Sequence, residues 1–370
     1  MTAPLLFTPL EVGGLTIANR AWVAPMCQYS ATDGVVNDWH LVHYGSFAQG
    51  GFGLILTEAT AVNPVGRISP GDAGLWSDDH IAPWRRVTDF VHTQRIVVDG
   101  HDVPTRIGVQ LAHAGRKASV HAPFAKGSGS VPLSEGGWVT VAPSALAFEG
   151  YTAPYAAPVS LDDDGIARVI ADFAIAAKRA KLAGFDVVEI HAAHGYLLHQ
   201  FLSPLSNRRT DGWGGDFAGR TRLLLAVTDA VRDAWDGPLF VRISATDWTP
   251  EGWDVDQSAE VAALLKGRGV DFIDVSSGGN VLAKMPLGPG YQVPFSEQIR
   301  RHTEMACGAV GLITEPEYAE GILRENEADA ILLARGALRD PHWPQRAACE
   351  LGYEGAKGLF APQHERGLVG

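Results

Sequence analysis

The strongest constraint on this chain is a series of short, unbroken apolar runs. They fall at Ala21–Pro25, Gly53–Glu58, Arg106–Leu111, Asp186–Ile190, Leu239–Ser244, Phe272–Ser276, Ala309–Thr314 and Ala330–Ala334. Most are rich in Val, Ile and Leu and lack polar alternation, as expected of parallel strands buried on both faces. Segments of helical period lie between them. Asp163–Ala183 opens in acidic residues and ends at Gly184, and Asp256–Arg268 stops at Gly269. Eight β–α units in 370 residues predict an α/β fold, a (β/α)8 TIM barrel forming one domain over residues 1–370. A doubly wound open sheet is the runner-up, but no GxGxxG turn follows the first strand.

One segment breaks the alternation. Residues 116–160 are dense in Gly, Pro, Ser and Ala, with the apolar island "GWVTVAPSALAF". That is too long for an ordinary βα loop. It reads as a small hairpin and lid over the barrel mouth, after strand three. Trp138, Val139 and Val141 argue against a floppy insertion.

Composition excludes several function classes. A formal charge of −12 argues against nucleic-acid and anionic-membrane partners, which need basic patches. No apolar stretch is long enough to span a bilayer. The N-terminus has no basic region followed by a long apolar run, so a cytoplasmic protein is expected. Cys27, Cys307 and Cys349 form no CxxC pair and cannot supply a four-cysteine iron–sulfur cluster.

The chemistry of such barrels sits at the C-terminal strand ends. Strand four ends in "EIHAAHGY", which brings His191, His194 and Tyr196 together. Alternation puts Glu189 and His191 on one side of strand four, and Arg242 and Ser244 on one side of strand five. Arg242 and Glu189 could be an ion pair between adjacent strands or could face a ligand. Two imidazoles could serve zinc in a hydrolase, but a catalytic site usually wants three ligands, and no HxH follows strand one. No metal is therefore expected. Glycines at the ends of strands six to eight, with Arg335, suit a phosphorylated ligand.

Together, "APMCQYSA", "LTEATAVNPVGRISPGDAGLWSD", "VQLAHAGRKAS", "GFDVVEIHAAHGYLLHQFLSPLSNRRTDGWGG", "LFVRISATD", "GAVGLIT" and "ILLARGALRDP" resemble the Old Yellow Enzyme family of FMN-dependent ene-reductases. "PMCQY" and the histidine pair resemble its thermophilic-like subclass. The likeness runs along nearly the whole chain. It implies bound FMN, NADPH or NADH as transient reductant, and small activated alkenes as substrates. FMN contacts then fall on Ala24, Pro25, Met26, Cys27, Ala59, Gln110 and Arg242, with the phosphate at Gly311, Ala334 and Arg335. Ala334 replaces the family's usual glycine. His191 and His194 fall where the family binds the substrate oxygen, Tyr196 on its proton donor, and Tyr29 on an active-site tyrosine. In the C-terminal tail, 356–370, Arg366 matches an arginine that reaches a neighbour's active site. A homodimer or dimer-based tetramer is the corresponding expectation. A flavin-bearing binding protein without turnover is the alternative from another class.

Overall fold

The computed structural model describes residues 3–368; residues 1–2 and 369–370, the ends of the expected 1–370 span and of the tail, lie outside it. Eight strands close a parallel barrel in chain order. They are β1 (Ala21–Val23), β2 (Leu54–Ala61), β3 (Arg106–Ala112), β4 (Val187–Ala192), β5 (Leu239–Ser244), β6 (Phe272–Ser276), β7 (Ala306–Ala309) and β8 (Ala330–Leu333). This is the TIM barrel expected of the apolar runs. Its helices include α1 (Asp38–Gln49), α2 (Ile81–Thr93), α3 (Asp163–Leu182), α4 (Leu197–Leu202), α5 (Phe217–Ala234) and α6 (Val255–Lys266). Asp162, Asp216 and Asp254 accept the N–H of Gly165, Gly219 and Gln257, fixing where α3, α5 and α6 begin. Each such cap is worth about 1 kcal/mol.

The barrel interior has two levels. Its floor is apolar: Trp22, Leu54, Leu56, Val187, Phe240, Phe272 and Leu332 pack together, with Val12 and Ile17 of an N-terminal hairpin beneath them. The Trp22 ring lies 4.9 Å from Phe272 and 6.0 Å from Phe240. Above the floor the inward positions turn polar. Parallel register sets Ala59, Gln110 and Glu189 side by side, and His191, Arg242 and Asp274 side by side. The closed sheet thus stacks a polar layer on an apolar one, facing the C-terminal mouth.

Two expectations need correction. The seventh strand is Ala306–Ala309, not Ala309–Thr314. Gly311 at φ 130° and Leu312 at φ 55° leave the extended region, so residues 310–314 form the loop at the strand's end. The 116–160 excursion holds no hairpin in the expected sense. Val141–Ala142 pairs in parallel with Val159–Ser160, and a lone antiparallel bridge joins Val120 to Ser130. Arg95–Val98 and His101–Pro104 pair antiparallel about the Asp99–Gly100 turn, with φ of 50° and 79° there. This hairpin precedes β3. It lies at the floor end, beside Lys357, Leu359 and Gln363 of the tail.

Candidate active site

His191 is the fifth residue of β4, and His194 and Tyr196 lie in the turn that follows. The rings of His191 and His194 are 5.2 Å apart, and that of Tyr196 is 4.9 Å from His191. The Ala193 N–H donates to His191 Nδ1 at 3.3 Å, so the neutral ring carries its proton on Nε2. His194 Nε2 lies 2.7 Å from Ser276 Oγ. Burial, with the Arg242 guanidinium close by, holds both imidazoles well below the ordinary histidine range. Burial also raises the Tyr196 hydroxyl well above the ordinary phenol range, helped by Cys27 and Tyr29. The strand end therefore offers two neutral imidazoles and one protonated phenol.

The residues after β1 close in from the other side. Cys27, Tyr29 and Tyr196 pack against one small cluster built on Ala59, Ala112 and Ala114. Tyr29 stands at φ 53° and meets Phe124 of the excursion edge-on at 6.1 Å. Burial pushes the Cys27 thiol up, with Asp72 and Glu58 adding, so it stays protonated. The Ala24 N–H donates to Leu333 O at 2.9 Å, joining the ends of β1 and β8.

The polar layer removes one of the two readings left open for Arg242 and Glu189, the ion pair between them. Arg242 does not bridge to Glu189. Its Nε lies 2.9 Å from Asp274 Oδ2 on the other neighbouring strand. Glu189 instead accepts from Gln110 Nε2 at 2.8 Å. The alternation Phe272–Asp274–Ser276 in β6 carried that signal. Arg242 Nε, though close to Asp274, makes no aligned hydrogen bond, and Glu189 Oε2 is a buried oxygen without a hydrogen-bond partner. Parallel pairing of Ala309 with Ile331 puts the loop after β7, with Gly311, at the same barrel end as the Ala334–Gly336 turn after β8. A Cβ on Gly336 would make only ordinary contacts, with Leu333 at 3.4 Å, Thr314 at 3.7 Å and Ile313 O at 3.9 Å. The first N–H groups of the five-residue helix Arg335–Arg339 have no intrahelical acceptor. Free cationic donors at one end and free backbone donors at the other fit a flavin with its phosphate. Among the described residues, no group of three or more His, Cys, Asp or Glu side chains is gathered as for a metal.

Sequence reasoning missed several side chains that hold this site. Lys117, in "HAGRK", donates to His194 O at 2.9 Å, Gly279 O at 2.8 Å and Tyr151 Oη at 3.2 Å. Burial and the Arg116 charge push its ammonium down to about 7. Glu58 sits where β2 bulges, accepts from the Gln28 N–H at 3.0 Å, and is met by His40 and Tyr44 of α1, each at 3.2 Å. Arg366 is exposed in the turn Pro362–Gly367, at the floor end and away from the histidine pair of its own chain.

The sequence profile of the NADH:flavin oxidoreductase / NADH oxidase family matches residues 5–354. The chain belongs to this family. It is 47% identical over 365 residues to an NADPH dehydrogenase of Geobacillus sp. (strain WCH70), and 45% identical over 365 residues to one of Bacillus subtilis (strain 168). Both alignments cover 98% of either chain. Among solved structures it is similar to an old yellow enzyme homologue from Zymomonas mobilis, with TM-score 0.78, 29% identity, and 97% and 98% of the two chains covered. Morphinone reductase in complex with tetrahydroNAD gives TM-score 0.75, 29% identity and coverage of 97% and 94%. The chain is thus an FMN-dependent oxidoreductase of the Old Yellow Enzyme type, with a nicotinamide as reductant. No described helix is long and apolar enough to cross a membrane.

Proposed function

We propose that this oxidoreductase is an ene-reductase acting on the C=C bond of small α,β-unsaturated carbonyl or nitro compounds, with NADPH or NADH bound in turn at the same mouth. Bound FMN would supply the hydride-transfer chemistry between the nicotinamide and the alkene β-carbon. Gln110 and Arg242 would hold its polar ring edge, Ala24, Pro25, Met26, Cys27 and Ala59 would line the ring, and Gly311, Ala334 and Arg335 would receive the phosphate. Arg242 would supply a fixed positive charge to offset the negative charge of the reduced ring.

His191 donates from Nε2 to the substrate oxygen. His194 donates from Nδ1 when its Nε2 accepts a hydrogen bond from the Ser276 hydroxyl. Neutral donors aimed at an oxygen that gains charge stabilise the transition state more than the bound substrate. Tyr196 delivers the proton to the α-carbon, anti to the hydride, and Tyr29 borders the substrate. The observation that carries this reading is the grouping of two imidazoles held neutral with a phenol held protonated, 4.9 to 5.2 Å apart by ring centre.

Tyr196→Phe is the test. Alkene reduction should slow by roughly 100-fold or more, while flavin reduction by NADPH changes far less. Equal loss in both half-reactions would refute the proton-donor role. We further propose a cytoplasmic homodimer or dimer-based tetramer, formed of single-domain subunits, in which Arg366 of each subunit borders its partner's pocket.

A further inference from the structure

The turn His194–Gly195–Tyr196 has no free backbone polar group. His194 N–H donates to Ser244 Oγ at 2.9 Å, and His194 O accepts from Lys117 Nζ. Gly195 N–H donates to His199 Nδ1 at 2.9 Å, and Gly195 O accepts from Gln200 Nε2 at 2.7 Å. Tyr196 N–H donates to Ala193 O at 3.1 Å, and Tyr196 O accepts from the Gln200 N–H at 2.8 Å. Gly195 itself, at φ 71°, is pressed against the next loop: a Cβ there would sit 2.3 Å from Gly279 O. A buried turn gripped at every donor and acceptor can be moved only by changing a gripping side chain.

One of those grips depends on a tautomer. An N–H can only donate, so His199 Nδ1 must be unprotonated and its proton must lie on Nε2. His199 Nε2 is 3.2 Å from Asp247 Oδ1; the approach is bent, both side chains are fully buried, and neither atom has another partner. Asp247 is fixed in turn: its Oδ2 accepts from Ser203 Oγ at 2.6 Å and from the Trp253 N–H at 2.9 Å. Ser203 Oγ donates to the carboxylate and makes no hydrogen bond to the imidazole, so the trio is not a nucleophile–base pair.

We infer that Asp247 and His199 are positioning residues for proton delivery: the carboxylate holds the imidazole in its Nε2–H form, and Nδ1 then fixes the Gly195 turn that aims Tyr196. The inference rests on the proposed role of Tyr196. Its atoms make a sharp demand. In Asp247→Asn, the two donors at Oδ2 require the amide oxygen there, so the NH2 group faces His199 Nε2. The ring must then carry its proton on Nδ1, opposing the Gly195 N–H donor to donor, and the turn must shift. A displacement near 1 Å costs on the order of 100-fold in rate.

The test uses the FMN-loaded enzyme. Histidine-selective 15N spectra should report Nε2–H at His199 in the native chain and Nδ1–H in Asp247→Asn. That variant should reduce alkene about 10- to 100-fold more slowly, with flavin reduction less affected and FMN content retained. His199→Asn, whose side-chain oxygen can stand near the Nδ1 position, should recover most of the loss seen in His199→Leu. In the His199→Asn background, Asp247→Asn has no tautomer to reverse and should cost at least about tenfold less than in the native chain. Nδ1–H at His199 in the native chain, or an equal cost in both backgrounds, overturns the inference. If Asp247→Asn is silent while Tyr196→Phe is slow, the inference fails and the proton-donor role stands. If Tyr196→Phe is also silent, both fall.

Discussion

Replacing Arg242 by Met removes the cation that faces Asp274 in the polar layer of the barrel. Asp274 has no exposed side-chain surface, and Arg242 has 6%. Glu189, also fully buried, lies close enough to Asp274 that each carboxylate feels the other's charge. Breaking a buried pair by deleting one partner costs about 3–5 kcal/mol, or roughly two to four powers of ten in the folding equilibrium. The loss should depend on pH. Burial raises both carboxyls, the Asp274 charge raises Glu189 further, and Arg242 draws both down. Without Arg242 both rise further above their unfolded values. A group raised on folding favours the folded state below its unfolded pKa, and that advantage is lost as pH rises through the folded pKa. The deficit of Arg242→Met against the native chain should therefore be largest at pH 7–8 and shrink towards pH 5. Urea unfolding of the FMN-free protein at several pH values is the assay, and the midpoint should fall by roughly 1 M at neutral pH. Adding Asp274→Asn to Arg242→Met should restore part of the loss, since it removes the unpaired charge. Equal stability of Arg242→Met and native protein, or a deficit flat across pH, would refute the reasoning.

Further outcomes can be measured separately. Because His191 and His194 are held well below the ordinary histidine range, they stay neutral as pH falls from 8 to 6, and Tyr196 stays protonated as pH rises to 9. The 15N shifts of His191 and His194 should then show no titration between pH 6 and 8, whereas a midpoint near 6.5 in either ring would show a charged imidazole; a rate profile alone would not separate them from Lys117, which is pushed down to about 7. Gly195→Ala must adopt φ near 71° with its Cβ 2.3 Å from Gly279 O, so it should lose several kcal/mol of stability or displace the turn, read by thermal melting and alkene turnover. Cys27→Ala should keep FMN and turnover but shift the flavin potential, measured by dye-coupled reduction. Truncation after Gln363 should raise KM for alkene without loss of FMN, and a monomer in solution would remove the proposed role of Arg366.

The sequence by itself determined the barrel and the grouping of its functional side chains. Strands buried on both faces must be apolar throughout, so "GFDVVEI" and "LFVRIS" declare themselves, and the period of two puts Glu189, His191 and Arg242 inward. His191, His194 and Tyr196 were legible because they are local: six residues of one strand end hold all three. Tertiary structure alone decided which partners those side chains take. Arg242 has a carboxylate in reach on either side, and closure of the barrel with its β5–β6 register gave it Asp274 and left Glu189 to Gln110. Nothing in "HAGRK" marks Lys117 as buried; the loops after β4 and β6 bring two carbonyls to it. The His199–Asp247 pair joins residues 48 apart through a contact with no periodicity in the chain. The loop after β7 likewise escaped, because "GAVGLIT" is as apolar as a strand and only the backbone angles at Gly311 and Leu312 end it. Periodicity reports which face a side chain takes. Its partner is set by which loops the closed barrel brings over it, and that depends on contacts far apart in sequence.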